Sequence, residues 1–288
     1  MNSLFIIMPI LVFLMFCIGL ELKLSNFKLI LKQPKSIILG TLAQLILHPL
    51  IAWFLLSFLD ISDEFKIGII LIASCPGGAS SNAFSYLVKA DVALSVLLTS
   101  LSSLLSIFTI PIIISTYIYF ALGDNVSINL PFFKLLMQNV VFLLLPIVFG
   151  MLLNRYKEKF AKKLSVWTKK LPIYLLLILI TVFFIENMDV IIETFSKLSI
   201  AIFILVIGVM LISYFLALIF KIKTEQRKAI VIGVGIKNAA QAMLIAASPI
   251  ILNNPKIAIP AVLYALIMNI VILVYVAINK RKSKLINQ

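Results

Sequence analysis

The sequence predicts an all-α protein that crosses a membrane about nine times and forms a single membrane domain over residues 1–288. Three observations predict this fold class. The chain is 62% hydrophobic and 12% charged, whereas soluble domains carry about 25% charged residues. Apolar runs of the length needed to cross the ~30 Å hydrocarbon core recur between short charged segments. The basic residues also fall almost entirely on one side of the resulting membrane topology.

The apolar runs and the breaks between them define the predicted spans. Bounds read in this way are good to a few residues. The nine spans lie near residues 4–21, 36–59, 66–88, 92–120, 132–153, 171–188, 198–220, 228–248 and 257–279.

Charge distribution predicts the orientation of these spans. With the N-terminus outside, 20 of the 25 basic residues lie in cytoplasmic segments, including clusters at 155–170 and 280–284, and four lie outside. Such an asymmetry is typical of the positive-inside rule. We therefore expect a multi-pass protein of the cell inner membrane with a cytoplasmic C-terminus. The net charge of +14 is explained by topology, and no nucleic-acid partner is expected.

The two cysteines, Cys17 and Cys75, both lie inside apolar runs. This pattern offers neither a disulfide framework nor a spaced metal motif. No cofactor is expected.

Two spans have centres that favour interrupted helices. The third contains Cys-Pro-Gly-Gly-Ala-Ser-Ser-Asn at 75–82, and the eighth contains Gly-Val-Gly-Ile-Lys-Asn at 233–238. Irregular backbone at membrane depth is tolerated only where it is buried in protein or lines a cavity. The two segments lie five spans apart and therefore cross in opposite directions, which is the pattern of an inverted repeat. Spans 1–4 would then correspond to spans 6–9, with the two breaks meeting near the midplane.

Polar side chains accompany the first break on three spans. They are Gln44 and His48, Ser81 and Asn82, and Ser95 and Thr99. Hydroxyl and amide oxygens of this kind suit a hard cation or a substrate carboxylate. The alternative is hydrogen bonding between helices, which is frequent in membrane bundles. For His48 the alternatives are a proton relay and a hydrogen bond that fills the gap left by Pro49.

Lys237 is the only charged residue predicted deep inside a span, since the other charged residues within the span bounds lie within three residues of a span end. An unpaired charge at membrane depth is costly, so this lysine needs a partner or a proton cycle. Three interpretations are open: the ammonium replaces a bound sodium, it meets the anionic group of a substrate, or it loses and regains a proton during transport. A lysine that extends to the membrane interface is the structural alternative.

The sequence also resembles the bile acid:sodium symporter (BASS) family over nearly the whole chain. The likeness rests on GLELKL at 19–24, Gln44 ahead of Pro49, CPGGASSN at 75–82 with DVALS at 91–95, and GVGIKNAAQA at 233–242. The resemblance implies ten helices, or nine when the first is missing, as expected here. It also implies a core domain (about 36–120 and 198–279) with two crossed, broken helices, a panel domain (about 4–21 and 132–188), and substrate bound between them.

The family pattern further implies ion ligands. Ser81, Asn82, Ser95 and Thr99 match the side-chain ligands of one sodium site, and Gln44 matches a ligand of a second. The family motif at the second break reads roughly E-V-G-M-Q-N. Here the corresponding residues, which we expect to line the substrate or ion site, are Gly233, Val234, Gly235, Ile236, Lys237 and Asn238.

Two departures from that motif bear on coupling. The Glu that the family shares between both sodium sites is Gly233, and the Gln of the second site is Lys237. The only anionic ligand is thereby lost and a cation is added, whereas sodium sites need negative charge or many well-placed oxygens. The sequence therefore predicts sodium-independent transport, although sodium coupling as in the family stays an alternative.

Together these features predict a secondary transporter that carries a small organic anion by alternating access, as a proton-coupled carrier or a uniporter. A channel would need a continuous polar pore lining, which these spans lack. A membrane enzyme would need a nucleophile with a base or a metal set, and none is present inside the spans. The identity of the anion and the oligomeric state are left open.

Overall fold

We analysed a computed structural model of the chain. It describes residues 4–21, 31–123, 132–161, 188–248 and 254–286, together with single residues at 164, 171, 174, 178, 181, 185 and 252. Within these ranges the regular secondary structure is entirely helical, and the one β-type contact is an isolated antiparallel bridge between Gly77 and Lys237. The predicted all-α fold class is confirmed.

The helices follow the predicted spans closely. Their bounds are α1 Leu4–Glu21, α2 Pro34–Leu56, α3 Asp63–Ser74, α4 Ser80–Leu87, α5 Val92–Leu122, α6 Phe132–Tyr156, α7 Met188–Ile219, α8 Thr224–Gly235, α9 Ala239–Ala247 and α10 Pro255–Ile286. The third and eighth predicted spans are each two short helices, α3 with α4 and α8 with α9. The sixth predicted span, 171–188, lies almost entirely outside the described residues.

Several of these helices have the length and apolarity of single membrane crossings. Within the described residues five stretches qualify by themselves: Pro34–Leu56, Val92–Leu122, Phe132–Tyr156, Phe195–Ile219 and Pro255–Arg281. Their apolar outer faces, such as Phe54 and Phe108, are more than half exposed. An all-α protein with many such faces is a polytopic membrane protein.

The start of α7 corrects one predicted boundary. The sequence predicts a loop at residues 189–197, because Asp189, Glu193 and Lys197 are charged, but these residues lie within the described helix Met188–Ile219. No proline follows before Ile219, so nothing in the backbone ends the helix between its charged start and its apolar body.

Helix α1 packs against α6 through two glycines. A Cβ added at Gly19 would lie 2.9 Å from the carbonyl carbon of Ile147, and one at Gly150 would lie 2.9 Å from the backbone nitrogen of Leu20. The side-chain amide of Asn154 donates to the Leu20 carbonyl over 2.8 Å. Small residues let the two backbones approach closely, as is common in membrane helix pairs.

Two helices widen into a π turn just before a proline. In α2 the π turn covers Ala43–Leu47 and is followed by His48-Pro49; in α6 it covers Val140–Leu144 and is followed by Leu145-Pro146. A proline ring clashes with the carbonyl four residues earlier in a regular α-helix, and a wider turn relieves that clash. The turn in α2 bears directly on the candidate site.

Candidate functional site at the crossing of the interrupted helices

The two interrupted segments meet at their breaks. The N–H of Gly78 donates to the Ile236 carbonyl over 3.1 Å, and the N–H of Asn238 donates to the Pro76 carbonyl over 3.0 Å. With the bridge between Gly77 and Lys237, these bonds join the segments as a short antiparallel pair. The breaks therefore satisfy part of each other's backbone, as irregular backbone inside a membrane requires.

Local sequence explains the first break. Cys75 is extended (φ −63°, ψ 154°), the conformation favoured for a residue that precedes a proline. A Cβ at Gly78 would lie 3.0 Å from the Lys237 carbonyl oxygen, and one at Gly77 would lie 3.2 Å from the Gln44 Oε1. Proline thus ends α3, and the glycines admit the second segment at close range.

The second break has a different cause. Ile236 is extended (φ −98°, ψ 119°), and Asn238 caps α9 by accepting a hydrogen bond at its Oδ1 from the N–H of Gln241 over 3.2 Å. Asparagine is among the preferred N-cap residues. The N–H of Lys237 contacts the Met268 sulfur over 3.4 Å. A new helix therefore starts at Asn238, right after the residue that carries the charge.

The Lys237 side chain fills the centre of the crossing. It is 1% exposed and is the one charged side chain among the buried residues that the structure describes. Its ammonium donates to the Gln44 backbone carbonyl over 2.6 Å and to the Cys75 backbone carbonyl over 2.8 Å. Lys237 does not extend to an interface, so that structural alternative is excluded.

Both carbonyls are available because neither has an intrahelical donor. In the π turn of α2 the N–H of His48 donates to the Ala43 carbonyl. By the same i to i+5 spacing the Gln44 carbonyl would accept from residue 49, but Pro49 has no N–H. The Cys75 carbonyl lies at the end of α3, where the chain leaves the helix in an extended conformation and no later backbone N–H reaches that oxygen. The ammonium takes the place of the two missing backbone donors.

The dipoles of the four half-helices complete the electrostatics of the crossing. Helices α3 and α8 end there, and α4 and α9 begin there, so two partly negative C-termini and two partly positive N-termini converge. The ammonium contacts the C-terminal carbonyl of Cys75. It thereby faces the negative end of α3, while the N-termini of α4 and α9 bring partial positive charge to the same crossing.

The polar residues near the first break form a second cluster. The Ser81 and Thr99 hydroxyls lie 3.2 Å apart, and the Ser95 hydroxyl donates to the Asn82 Oδ1 over 2.9 Å. The Ser85 hydroxyl in turn donates to Ser95 over 3.1 Å. The four predicted residues are brought together. Ser85 was not predicted, although its position one turn after Ser81 on the same helix face is a sequence signal for it.

The Gln44 side chain lies between the two breaks. It is fully buried, and its amide nitrogen and oxygen have no hydrogen-bond partner. A Cβ at Gly233 would lie 2.7 Å from its Nε2. Gln44 thus contacts Lys237 through its backbone, while its side chain faces the position where the family motif has Glu.

His48 and two residues of the second break, Val234 and Ile236, make contacts of other kinds. The His48 Nε2 is 3.4 Å from the Tyr264 hydroxyl, which donates to the Gly235 carbonyl over 3.0 Å. Val234 packs into an apolar cluster with Leu98. The backbone carbonyl of Ile236 accepts the hydrogen bond from the N–H of Gly78. Tyr264 was missed because a lone tyrosine in an apolar span carries no spacing signal.

Metal-ligating side chains are scarce in this region. Over the described parts of the chain, no group of three or more His, Cys, Asp and Glu residues is placed to hold a metal ion, and no buried side chain is acidic. The oxygen donors at the crossing are hydroxyls, amides and backbone carbonyls. They suit hard cations by chemistry but bring no negative charge.

Comparison with known proteins gives the same assignment as the motifs. Residues 8–194 match the Sodium Bile acid symporter family. A probable sodium/metabolite cotransporter, BASS1 of Arabidopsis thaliana chloroplasts, is 29% identical over 84% of this chain and 58% of its own length. An uncharacterised sodium-dependent transporter of Bacillus subtilis, YocS, is 28% identical over 89% of this chain and 77% of its own length. The human P3 protein is 29% identical over 83% of this chain and half of its own length.

The chain therefore spans between about half and three quarters of the length of these relatives. The family match covers α1 to the start of α7, including the first break and its polar cluster, and the pairwise similarities cover most of the chain. With two interrupted helices crossing inside a polytopic membrane protein, these matches establish that the chain belongs to the sodium bile acid symporter family.

Proposed function

We propose that this protein is a secondary transporter that moves a small organic anion across the membrane without sodium, with the Lys237 ammonium occupying the place of a coupling cation. Transport would proceed by alternating access. The core (about 36–120 and 198–279) would move against the panel (about 4–21 and 132–188), exposing the crossing to each side in turn.

One observation carries the proposal: a buried ammonium is coordinated by two backbone carbonyls at the crossing. Carbonyl oxygens freed by helix breaks are the groups that hold sodium in transporters with discontinuous helices. A covalently attached cation that satisfies those oxygens makes a second, diffusible cation unfavourable by charge repulsion in a low-dielectric site. This geometry supports the interpretation of Lys237 as a replacement for sodium over direct contact with the substrate.

An anionic cargo follows from the same electrostatics. The ammonium already contacts the negative helix end at Cys75, so the N-termini of α4 and α9 are left to attract negative charge. The side chain of Asn238, 7% exposed at the start of α9, would lie beside a small cargo. Proton coupling through His48 or Lys237 and simple uniport are both compatible with this arrangement.

Sodium symport is the alternative function, and one observation favours it. Ser81, Asn82, Ser95 and Thr99 come together as the family's first sodium site would require, and two of the relatives above carry sodium in their names. The absence of the family's acidic ligand, whose position Gly233 occupies here, argues against sodium symport. The hydroxyls and the amide also bond to one another, a state that a bound ion would have to break.

Uptake into proteoliposomes separates these functions. Labelled acetate, pyruvate and succinate represent small carboxylates, with sodium or potassium as the only cation. We expect saturable uptake of at least one acid that is equal in both media. The variant that combines Gly233→Glu with Lys237→Gln should take up the same acid only with sodium. The new carboxylate can accept a hydrogen bond from the Gln44 amide, the flexible group that it would meet. Strict sodium dependence of the wild type would overturn the proposal.

We further propose that the protein resides in the cell inner membrane with its N-terminus outside and its C-terminus in the cytoplasm. The charge asymmetry supports this orientation. Lys223 and Lys256 are exposed at opposite predicted sides. A membrane-impermeant maleimide applied to whole cells should label Lys256→Cys and spare Lys223→Cys; the reverse pattern would invert the topology. The native Cys17 and Cys75 are buried and give a low background.

A further inference from the structure

A groove separate from the crossing runs between α7, α8 and α10. Its volume is about 760 Å³, and it shares no residue with the cluster around Lys237. Apolar side chains line most of it, and several of them, including Phe203, Val274 and Ile278, are about half exposed. Within a bilayer such a surface faces the acyl chains of lipids.

One end of the groove is polar and basic. Arg227 and Lys228 lie there with Tyr214, Thr224 and Asn279. The Arg227 guanidinium stacks 5.0 Å from the centre of the Tyr214 ring, and its Nη2 donates to the Thr224 hydroxyl over 3.4 Å. These contacts fix the planar group at the mouth of the groove, where it keeps further N–H donors for a ligand.

The acidic residues near the basic end of the groove do not neutralise its positive charge. In the described ranges the one salt bridge found joins Lys66 and Asp63, far along the chain. Asp91 accepts hydrogen bonds from the N–H of Leu94 and the Gln33 amide, and Glu225 is exposed on the first turn of α8. Exposed bases surround the same end of the three helices: Lys221, Lys223, Lys280 and Arg281.

The length of the groove matches one leaflet. On α7 it extends from Phe203 to Tyr214, which is about 16 Å at the helical rise per residue. Half of the hydrocarbon core is about 15 Å. The basic end lies on the side predicted to be cytoplasmic, where anionic lipids give the membrane its negative surface potential. A basic mouth above an apolar slot of one leaflet's depth fits an amphiphile with an anionic head.

We propose that this groove binds an anionic phospholipid of the cytoplasmic leaflet, with its phosphate on Arg227 and an acyl chain between α7 and α10. Lys228 lies at the same mouth, and its ammonium donates to the Val88 carbonyl over 3.2 Å, so it adds positive charge while it ties α8 to the end of α4. The bound lipid would hold α8, the first half of the second interrupted helix, against its two neighbours. The site is independent of which substrate the crossing accepts.

The test compares phosphatidylglycerol with phosphatidylcholine on the purified protein. Native mass spectrometry counts bound lipid, and the melting temperature in detergent reports stabilisation. For the wild type we expect one retained phosphatidylglycerol and a higher melting temperature than with phosphatidylcholine. Arg227→Gln removes the charge-assisted bond and should weaken retention at least about tenfold. Val274→Trp fills the slot and should weaken retention to a similar extent with the charges intact.

Arg155→Gln is the matched control, because Arg155 also stacks on a tyrosine, 5.7 Å from the Tyr156 ring, but does not line the groove. It should bind lipid like the wild type. Equal melting temperatures in phosphatidylcholine verify folding; if Val274→Trp fails there, Ile278→Trp replaces it. Equal retention of both lipids, or of phosphatidylglycerol by Arg227→Gln, would overturn the proposal. So would inorganic phosphate that stabilises the protein as well as the lipid does, since it would indicate a simple anion site.

Discussion

The Lys237 ammonium lies 2.6 Å from the Gln44 backbone carbonyl oxygen, 193 residues away in sequence. Five residues after Gln44 comes Pro49, whose missing N–H leaves that oxygen without an intrahelical donor. A lysine on one interrupted helix therefore completes the hydrogen bonding of a π turn on another helix. The same ammonium contacts the end of α3 at Cys75, so one side chain ties three helices together at the crossing of the interrupted helices.

The hydrogen bonds of Lys237 can be separated from its charge by comparing two neutral variants. Lys237→Gln keeps donors that can reach one of the carbonyls, whereas Lys237→Met leaves two buried acceptors unpaired. Each unpaired acceptor costs about 1–3 kcal/mol, so we expect Lys237→Met to melt at a lower temperature than Lys237→Gln in the same detergent. Lys256→Met, at an exposed position, should melt like the wild type. Equal melting of the two Lys237 variants would show that the carbonyl contacts do not stabilise the fold.

Pro49 leaves the Gln44 carbonyl free for Lys237, so replacing this proline should lower transport activity without lowering the stability of the protein. Pro49→Ala gives the Gln44 carbonyl an intrahelical donor, from residue 49 if the π turn persists or from His48 if the helix becomes regular. The ammonium then loses one partner, and we expect uptake to fall several-fold, while the helix itself gains from the better helix former.

Pro146→Ala is the control for this change. Pro146 follows a π turn of the same length in α6, and no lysine contact is found at that turn among the described residues. Its uptake should stay at the wild-type level. If both alanine variants lose activity equally, the effect comes from proline in general and not from the link to Lys237.

The hydroxyl cluster should influence stability more than ion response. Ser95→Ala removes the donor to the Asn82 Oδ1 and the acceptor of Ser85, which should cost about 1–2 kcal/mol. Because the proposed mechanism uses no sodium there, uptake should fall by the same factor in sodium and in potassium. Ser103→Ala, whose hydroxyl bonds only within its own helix, is the comparison. A selective loss of uptake in sodium for Ser95→Ala would instead identify a working sodium site.

The contact between α1 and α6 predicts a sharp contrast between two glycines. A Cβ at Gly19 would meet the backbone of Ile147, whereas one at Gly208 would meet nothing within 4 Å. Backbone cannot move aside as a side chain can, so Gly19→Ala should lower the melting temperature by several degrees. Gly208→Ala should leave it unchanged or raise it slightly. Similar behaviour of both variants would contradict the close packing of α1 on α6.

The sequence was sufficient for the interrupted helices because proline and glycine act locally. Pro76 and the two glycines after it predict the first break, and Asn238 is a readable N-cap for the second. Predicting a buried partner for Lys237 was possible from the cost of a charge in lipid alone. The helical conformation of residues 189–197 was not predictable from charge, because charged residues occur on exposed helix faces as readily as in loops.

The hydrogen-bond partners of Lys237 could be identified only from the three-dimensional structure. The sequence singles out Gln44 for its side-chain amide, yet the contact uses its main chain. That carbonyl is free because a π turn, which no residue pattern specifies, places it opposite Pro49. The contact of Tyr264 with the Gly235 carbonyl likewise depends on how α10 packs across the break. Periodicity assigns such residues to the core without indicating their hydrogen bonds.

Sodium binding by the purified protein tests the central claim most directly, since it requires no knowledge of the substrate. The melting temperature is measured in NaCl and in KCl at equal ionic strength, for the wild type and for Gly233→Glu combined with Lys237→Gln. A ligand at 100 times its dissociation constant stabilises a fold by about 2.7 kcal/mol. We predict identical melting of the wild type in both salts and a sodium-specific rise for the double variant. A sodium-specific rise for the wild type would contradict the assignment of Lys237 as the built-in cation.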